Sequence, residues 1–351
     1  MATQNPTDHD VTTPDTTDQN RVGPHNQSPV VTLDDDLARN EGVGLEPSWL
    51  QNVYLNRHGV DRALADLKQS RRLPKTHQAA WLVQAIRCID LTTLAGDDTP
   101  GRVRRLCGKA RQPLRPEVQH DLGIGAEPLR VGAVCVYHAM VDTAVAALAG
   151  SGIGVAAVSA GFPAGLSPLA TRVAEVEASV AAGAAEIDIV VTRAHVLRND
   201  WSALFDEVAR FRDACGEAHL KAILATGELG DLRKVYQASM VAMMAGADVI
   251  KTSTGKESEN ATLPVSLVMT RAIRDYAERT GYRVGFKPAG GIRTASEALD
   301  WLMLMKTQLG QDYTTPAYFR FGASSLLGDI EGWLEHHLYG APAAPYRLSA
   351  G

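Results

Sequence analysis

The chain is 351 residues long, 45% apolar and 6% aromatic, with 35 Lys and Arg against 40 Asp and Glu. That apolar fraction excludes a wholly disordered, collagenous or coiled-coil protein, and the length allows two domains or one large barrel. Residues 1–45 hold eight acids and only two bases, Arg21 and Arg39, so the net charge of −5 sits in this segment and the remainder is close to neutral. Such a body has no basic footprint for nucleic acid, where phosphate neutralisation dominates affinity, and none is expected as a partner. No run of roughly 18 apolar residues is present to span a bilayer, and the opening MATQNPTDHD has neither a basic nor an apolar signal region. A soluble, cytoplasmic protein without a membrane partner is the expectation. Cys88, Cys107, Cys135 and Cys215 form no CxxC pair, which fits free thiols in a reducing compartment.

Along the chain, residues 1–30 contain only Met1, Ala2, Val11, Val22 and Val30 as apolar residues and no aromatic. A segment this polar cannot offset its chain entropy by burial, so residues 1–44 read as a disordered acidic tail. Over 45–75 the spacing of Trp49, Leu50, Val53 and Tyr54, and then Val60, Leu64 and Leu67, predicts one or two helices covering one end of the body. From 76 to 338 short apolar runs alternate with amphipathic stretches. Eight strands are predicted at Arg87–Leu91, Val131–Tyr137, Gly154–Ser159, Glu186–Val191, Leu220–Ala225, Asp248–Thr252, Arg283–Lys287 and Phe319–Gly322. Eight β-α units in roughly 250 residues is the arithmetic of an α/β (β/α)8 TIM barrel. An open doubly wound sheet is the runner-up, but no GxGxxG follows the first strand. Residues 339–351 read as a flexible tail, because Pro342 and Pro345 stop a helix and little apolar surface follows.

Barrels place reacting groups at the C-terminal ends of their strands. There the apolar runs are interrupted by Asp90, by Glu186 and Asp188, and by Lys221, Lys251 and Lys287. Any one of these could be a structural ion pair, yet unpaired buried charge costs several kcal/mol, so a set at one level calls for a shared polar pocket. Lys251 and Lys287 fall on adjacent strands. Two ammonium groups in one pocket depress one pKa, and a neutral amine attacks carbonyls to form a Schiff base. The following loops read Thr252-Ser253-Thr254-Gly255-Lys256, then Gly290-Gly291-Ile292-Arg293, then Gly322-Ala323-Ser324-Ser325. Glycine lets backbone approach an anion, serine and amide N–H groups donate to it, and a helix N-terminus adds a favourable dipole, so these loops are a candidate phosphate site. No HxH, HxxxH or carboxylate-His cluster stands at the strand ends, which disfavours a metal-dependent lyase, and no cofactor is expected.

The strings CIDLTTLAGDDT, AGFPAGLSPLATRVAEVEASVAAGAAEIDIVV, LKAILATGEL, AGADVIKTSTGKESENAT, GFKPAGGIRT and FRFGASSLL resemble deoxyribose-phosphate aldolase over about residues 75–335. The long N-terminal portion and DACGEAHLK (Asp213–Lys221) are similar to the longer, animal-type form of that family. The resemblance implies a class I aldolase of deoxyribonucleotide catabolism that reversibly cleaves 2-deoxy-D-ribose 5-phosphate to D-glyceraldehyde 3-phosphate and acetaldehyde. It implies that Lys251 forms the Schiff base, Lys287 tunes it and relays protons, and Asp188 acts through water as general acid and base. Asp90, Cys135, Lys221 and Thr252 are implied to line the substrate pocket, and Gly255, Lys256, Gly290, Gly291, Arg293, Gly322, Ser324 and Ser325 to bind phosphate. Where the family often has Tyr-Pro, this chain has Tyr137-His138. Members also close a C-terminal tyrosine over the site, which makes Tyr346 a candidate for proton transfer. A transaldolase-like lyase and a non-catalytic phosphosugar-binding barrel are the rival readings. The expected partners are the phosphosugar and acetaldehyde, with a homo-oligomer left open.

Overall fold

A computed structural model describes residues 38–70, 74–125 and 128–341. The greater part of the acidic tail, and Tyr346 with most of the C-terminal tail, lie outside the described residues.

Eight parallel strands form the centre: β1 Ile89–Thr92, β2 Ala133–Tyr137, β3 Gly154–Val158, β4 Glu186–Val190, β5 His219–Ile223, β6 Val249–Lys251, β7 Gly285–Lys287 and β8 Phe321–Ala323. Each pairs with its neighbour in chain order, and β8 pairs with β1. The bridges Phe286–Phe319 and Ala289–Gly322 carry the round from β7 to β8. The result is a barrel wrapped by helices, not an open sheet. Several strands are shorter than expected because burial continues past the hydrogen-bonded part. Leu224 and Ala225 are buried after β5, but Ala225 turns into the left-handed region at φ 55° and ends the strand. Phe319 and Arg320 precede β8, where Phe319 makes only an isolated bridge.

The strand period of two sorts side chains between two environments. Ile89, Leu91, Val134, Val136, Ile187, Ile189, Leu220, Ala222, Ile250, Phe286 and Phe321 point outward into the main core against the helices. A second, smaller cluster of Cys135, Ala156, Val158, Val190 and Ile223 is capped by Phe162. The helices begin where hydrogen-bonding side chains satisfy free amides, as at Thr99, Asp200, Asp231 and Thr294. Thr294 forms a full capping box with Glu297, which fixes the helix Ala295–Leu309 after β7.

The N-terminal segment departs from expectation. Pro47–Leu50 is a single 3-10 turn, residues 51–56 are not helical, and a helix runs only over Arg57–Ser70. Asn52 stands at φ 54° and Asn56 accepts from the His58 amide, so the chain turns where the apolar spacing predicts helix; Tyr54 is 84% exposed. Order also begins before residue 45. Asn40 is buried, donating its backbone N–H to Asp248 and its side-chain amide to the Met243 and Ala247 carbonyls. Among the described residues no helix is long and apolar enough to cross a membrane. All four cysteines are buried and free.

Candidate active site

Inside the barrel, alternate positions of five strands, with Arg320 just before β8, converge on one network of charge. Asp188 of β4 is fully buried, and its Oδ2 accepts from Lys251 Nζ of β6 at 2.7 Å and from Lys287 Nζ of β7 at 2.8 Å. Register explains the meeting, since Lys251 and Lys287 are direct partners across the β6–β7 ladder. Lys287 Nζ also lies 2.5 Å from Asp90 Oδ2 of β1. Lys221 Nζ of β5 reaches Asp90 Oδ2 and Asp188 Oδ1, both at 3.2 Å, and pairs closely with Glu186. Arg320 closes the set from below with Nη1 2.7 Å from Asp90 Oδ1 and Nη2 3.1 Å from Glu186 Oε1.

These contacts decide the protonation states. Burial opposes ionisation of Asp90, but Lys221, Lys287 and Arg320 outweigh it and hold the carboxyl well below its usual range. Burial likewise disfavours the ammonium of Lys287, yet Asp188 and Asp90 prevail and raise its pKa. For Lys221 burial dominates, and although Asp90 opposes it, Lys287 and Arg320 help to hold the amine well below the usual lysine range. Cys135, 1% exposed, sits in the apolar part of the lumen, where burial raises its thiol pKa.

Above this network opens a cavity of about 380 Å³. Lys251 lines it together with Gly255, Lys256, Gly290, Gly291, Arg293, Gly322, Ser324 and Ser325, so the whole set of expected phosphate-loop residues is gathered at one mouth. Gly290 stands at φ 79°, and a Cβ there would lie 2.8 Å from the Cα of Gly255, so only glycine lets the loops after β6 and β7 touch. A Cβ on Gly322 would meet the Ala289 Cβ at 2.7 Å and Lys287 Cε at 3.3 Å, so this glycine makes room for the buried lysine. Ser325 precedes the 14-residue helix Leu326–Tyr339, whose N-terminus faces the mouth with its positive dipole end. Lys256 Nζ crosses the mouth to the Leu94 carbonyl at 3.1 Å.

Of the four residues expected to line the substrate pocket, Asp90, Cys135 and Lys221 lie in the lumen beneath the cavity, and Thr252 lies elsewhere. Thr252 follows Lys251 directly, so the strand alternation turns it away from the cavity. It is fully buried, its hydroxyl exchanging a hydrogen bond with Ser253 and accepting from the Ala289 amide, and it ties the β6 and β7 loops together. Conversely, the loop Thr92-Thr93-Leu94-Ala95 lines the mouth, and Arg320, which the search for polar strand ends passes over, joins Glu186 on the floor. The signal for the floor is alternation: Arg320 stands two before Gly322, and Glu186 two before Asp188. Among the described residues no group of three or more His, Cys, Asp and Glu side chains stands where it could hold a metal ion.

The chain matches the model of the DeoC/LacD family aldolases over residues 84–328. It is 54% identical to the deoxyribose-phosphate aldolase of Mus musculus and 52% identical to that of Homo sapiens, each over 89% of this chain and 98% of the relative. In structure it is similar to the deoxyribose phosphate aldolase of Aeropyrum pernix, with a TM-score of 0.53 and 23% identity over 76% of this chain and 97% of the other. The match of family model and relatives over the strands that carry the lumen network and the mouth settles the membership: this chain belongs to the DeoC/LacD family of aldolases.

Proposed function

We propose that the protein reversibly cleaves 2-deoxy-D-ribose 5-phosphate to D-glyceraldehyde 3-phosphate and acetaldehyde through an imine on Lys251. Relatives of that name, more than half identical over nearly their whole length, support the substrate. The observation that carries the choice of nucleophile is that Lys251 both lines the cavity and shares Asp188 Oδ2 with Lys287, which is wholly buried.

The mouth receives the phosphate. The glycines at 290, 291 and 322 let the chain come close, and the hydroxyls of Ser324 and Ser325 with the cations of Lys256 and Arg293 supply donors and charge for a dianion. Lys256 exchanges its Leu94 carbonyl for a phosphate oxygen. With the phosphate held at the rim, the open-chain sugar extends its C1 aldehyde down to Lys251. The Nζ–C1 bond forms, the carbonyl oxygen leaves as water, and a protonated imine results. Asp188, acting through water, takes the proton of the C3 hydroxyl. The C2–C3 bond breaks, its electrons pass into the imine to give an enamine, and glyceraldehyde 3-phosphate departs with the new C3 carbonyl. The same acid returns a proton to C2, and water hydrolyses the imine to release acetaldehyde and free Lys251. Proton transfer of this kind is worth about 10²–10⁴-fold. Throughout, Lys287 stays charged and holds Asp188 in place.

Borohydride reduction in the presence of acetaldehyde, followed by peptide mass spectrometry, tests the reading. Ethylation of the peptide containing Lys251 is expected. Labelling of the Lys287 peptide in its place reverses the two roles, and no label at all overturns imine chemistry in this barrel.

A further inference from the structure

We propose that Arg320 and Glu186, an ion pair on the floor of the barrel, are positioning residues that set the pH range over which Lys251 forms its imine. The proposal rests on the imine reading above and concerns two side chains that do not reach the cavity.

Both occupy inward positions one step below the reacting tier. Arg320 is 4% exposed; besides Asp90 and Glu186 it donates from Nε to the Pro316 carbonyl. Its stem lies against Gly132, where a Cβ would stand 3.2 Å from both Cδ and Nε. From the floor an unbroken chain of contacts leads to the nucleophile. Arg320 meets Asp90 at 2.7 Å, Asp90 meets Lys287 at 2.5 Å, Lys287 meets Asp188 at 2.8 Å, and Asp188 meets Lys251 at 2.7 Å. On the other side Glu186 pairs with both Arg320 and Lys221.

Stability alone does not account for the pair, since buried ion pairs are often replaced by apolar residues at no cost. What the pair adds is charge. The lumen holds three carboxylates, Asp90, Glu186 and Asp188, against four basic groups, Lys221, Lys251, Lys287 and Arg320. From β2 it receives the uncharged Cys135 and from β3 only Ala156 and Val158. Cys88, on the outer side just before β1, is protonated by burial. Four basic groups against three carboxylates leave a surplus of positive charge, which favours the neutral form of an amine. A guanidinium does not give up its proton. Arg320 therefore places the surplus on the amines, and after burial it is among the groups that lower Lys221. Converting the Lys251 ammonium to an iminium leaves this balance unchanged, so the network need not reorganise during the reaction. Without Arg320 the count is three against three, the surplus that favours a neutral amine is gone, and the free amine of Lys251 is expected to be scarcer near neutrality. Without the charge of Glu186 the surplus grows and an amine discharges more readily. The two removals act in opposite senses.

The test is the rate of borohydride trapping by acetaldehyde against pH, with kcat and KM for the phosphosugar, in wild type, Arg320→Met, Glu186→Gln and Arg320→Lys. One buried charge moves such a limb by about one pH unit or more. Arg320→Met is expected to shift the acid limb upward and lower kcat about 10-fold near neutrality, with KM changed less than about 3-fold. Glu186→Gln is expected to shift the limb downward, and Arg320→Lys, which keeps the charge but not the fork, to hold it near wild type. Profiles that superimpose on wild type, or shifts of the same sign in the Met and Gln variants, overturn the proposal. If Arg320→Met does not fold, a downward shift in Glu186→Gln decides it, and a limb there that stays or rises overturns it. Failure of wild type to be trapped at Lys251 refutes the imine reading instead.

Discussion

Asp188 serves two amines with one oxygen, and removing its charge separates binding from chemistry. Asp188→Asn keeps the shape and an acceptor but no proton-holding carboxylate. Its kcat is expected to fall by about 10²–10⁴-fold while KM for the phosphosugar changes little, because the phosphate loops are untouched. A loss confined to KM refutes the assignment. Asp90 carries a different burden. Its folded pKa lies below the unfolded value, so its stabilisation is complete above the unfolded pKa of about 3.9 and is lost as pH falls through the folded value. Asp90→Asn leaves Lys287 and Arg320 short of a buried partner and is expected to cost about 3–5 kcal/mol near neutrality. The gap to wild type begins to narrow below about pH 4, as the carboxyl of the unfolded chain takes up its proton, and closes as pH falls through the folded pKa. A gap independent of pH in thermal unfolding scans refutes this account of Asp90.

The elements show what apolar patterning can and cannot reveal. Short apolar runs marked eight strands, as parallel strands buried on both faces read, and their alternation with amphipathic stretches separated them from helices. Their ends were less legible. Burial outlasts pairing at Leu224 and Ala225, and the turn at Ala225 depends on a backbone angle that composition does not encode. The charged strand positions were legible as a set because buried charge is costly, yet Thr252 was misplaced by one step of the strand alternation. Arg320 went unread because it stands before β8, where a lone arginine reads as structural. Least legible was the segment around Asn40, polar in sequence but fastened by its side chain under β6. Asn40 Oδ1 also accepts from the Tyr276 hydroxyl at 3.0 Å and the Gly42 amide at 3.1 Å. Asn40→Ala strips four side-chain hydrogen bonds and leaves buried carbonyls unsatisfied, a cost of about 2–4 kcal/mol. Because the segment packs at the end opposite the mouth, kcat and KM at low temperature are expected to match wild type. Reduced activity in fully folded variant protein would show that the segment reaches the site.

At the scale of the whole molecule the proposed function divides along the barrel axis, with charge chemistry assigned to the lumen and anion capture to the rim, so that each level is expected to be open to alteration alone. Ser324 tests that division. It lies at the cavity mouth beside the N-terminus of the helix Leu326–Tyr339, which favours negative charge by about 0.3–1 kcal/mol. A carboxylate in Ser324→Asp occupies this favourable field in the free protein, so thermal stability is expected to hold or rise. In the complex the same carboxylate stands against the phosphate dianion, and its repulsion with the loss of a donor hydroxyl is expected to raise KM for 2-deoxy-D-ribose 5-phosphate about 10-fold or more. Unphosphorylated 2-deoxyribose presents no dianion, so its kcat/KM is expected to stay within about 3-fold of wild type. Borohydride trapping with acetaldehyde, which makes no phosphate contact, is expected to be unchanged. Equal losses for the two sugars would mean that the glycine and serine loops shape the barrel end without holding phosphate. A fall in trapping would mean that rim and lumen are coupled, and that the separation along the axis does not hold.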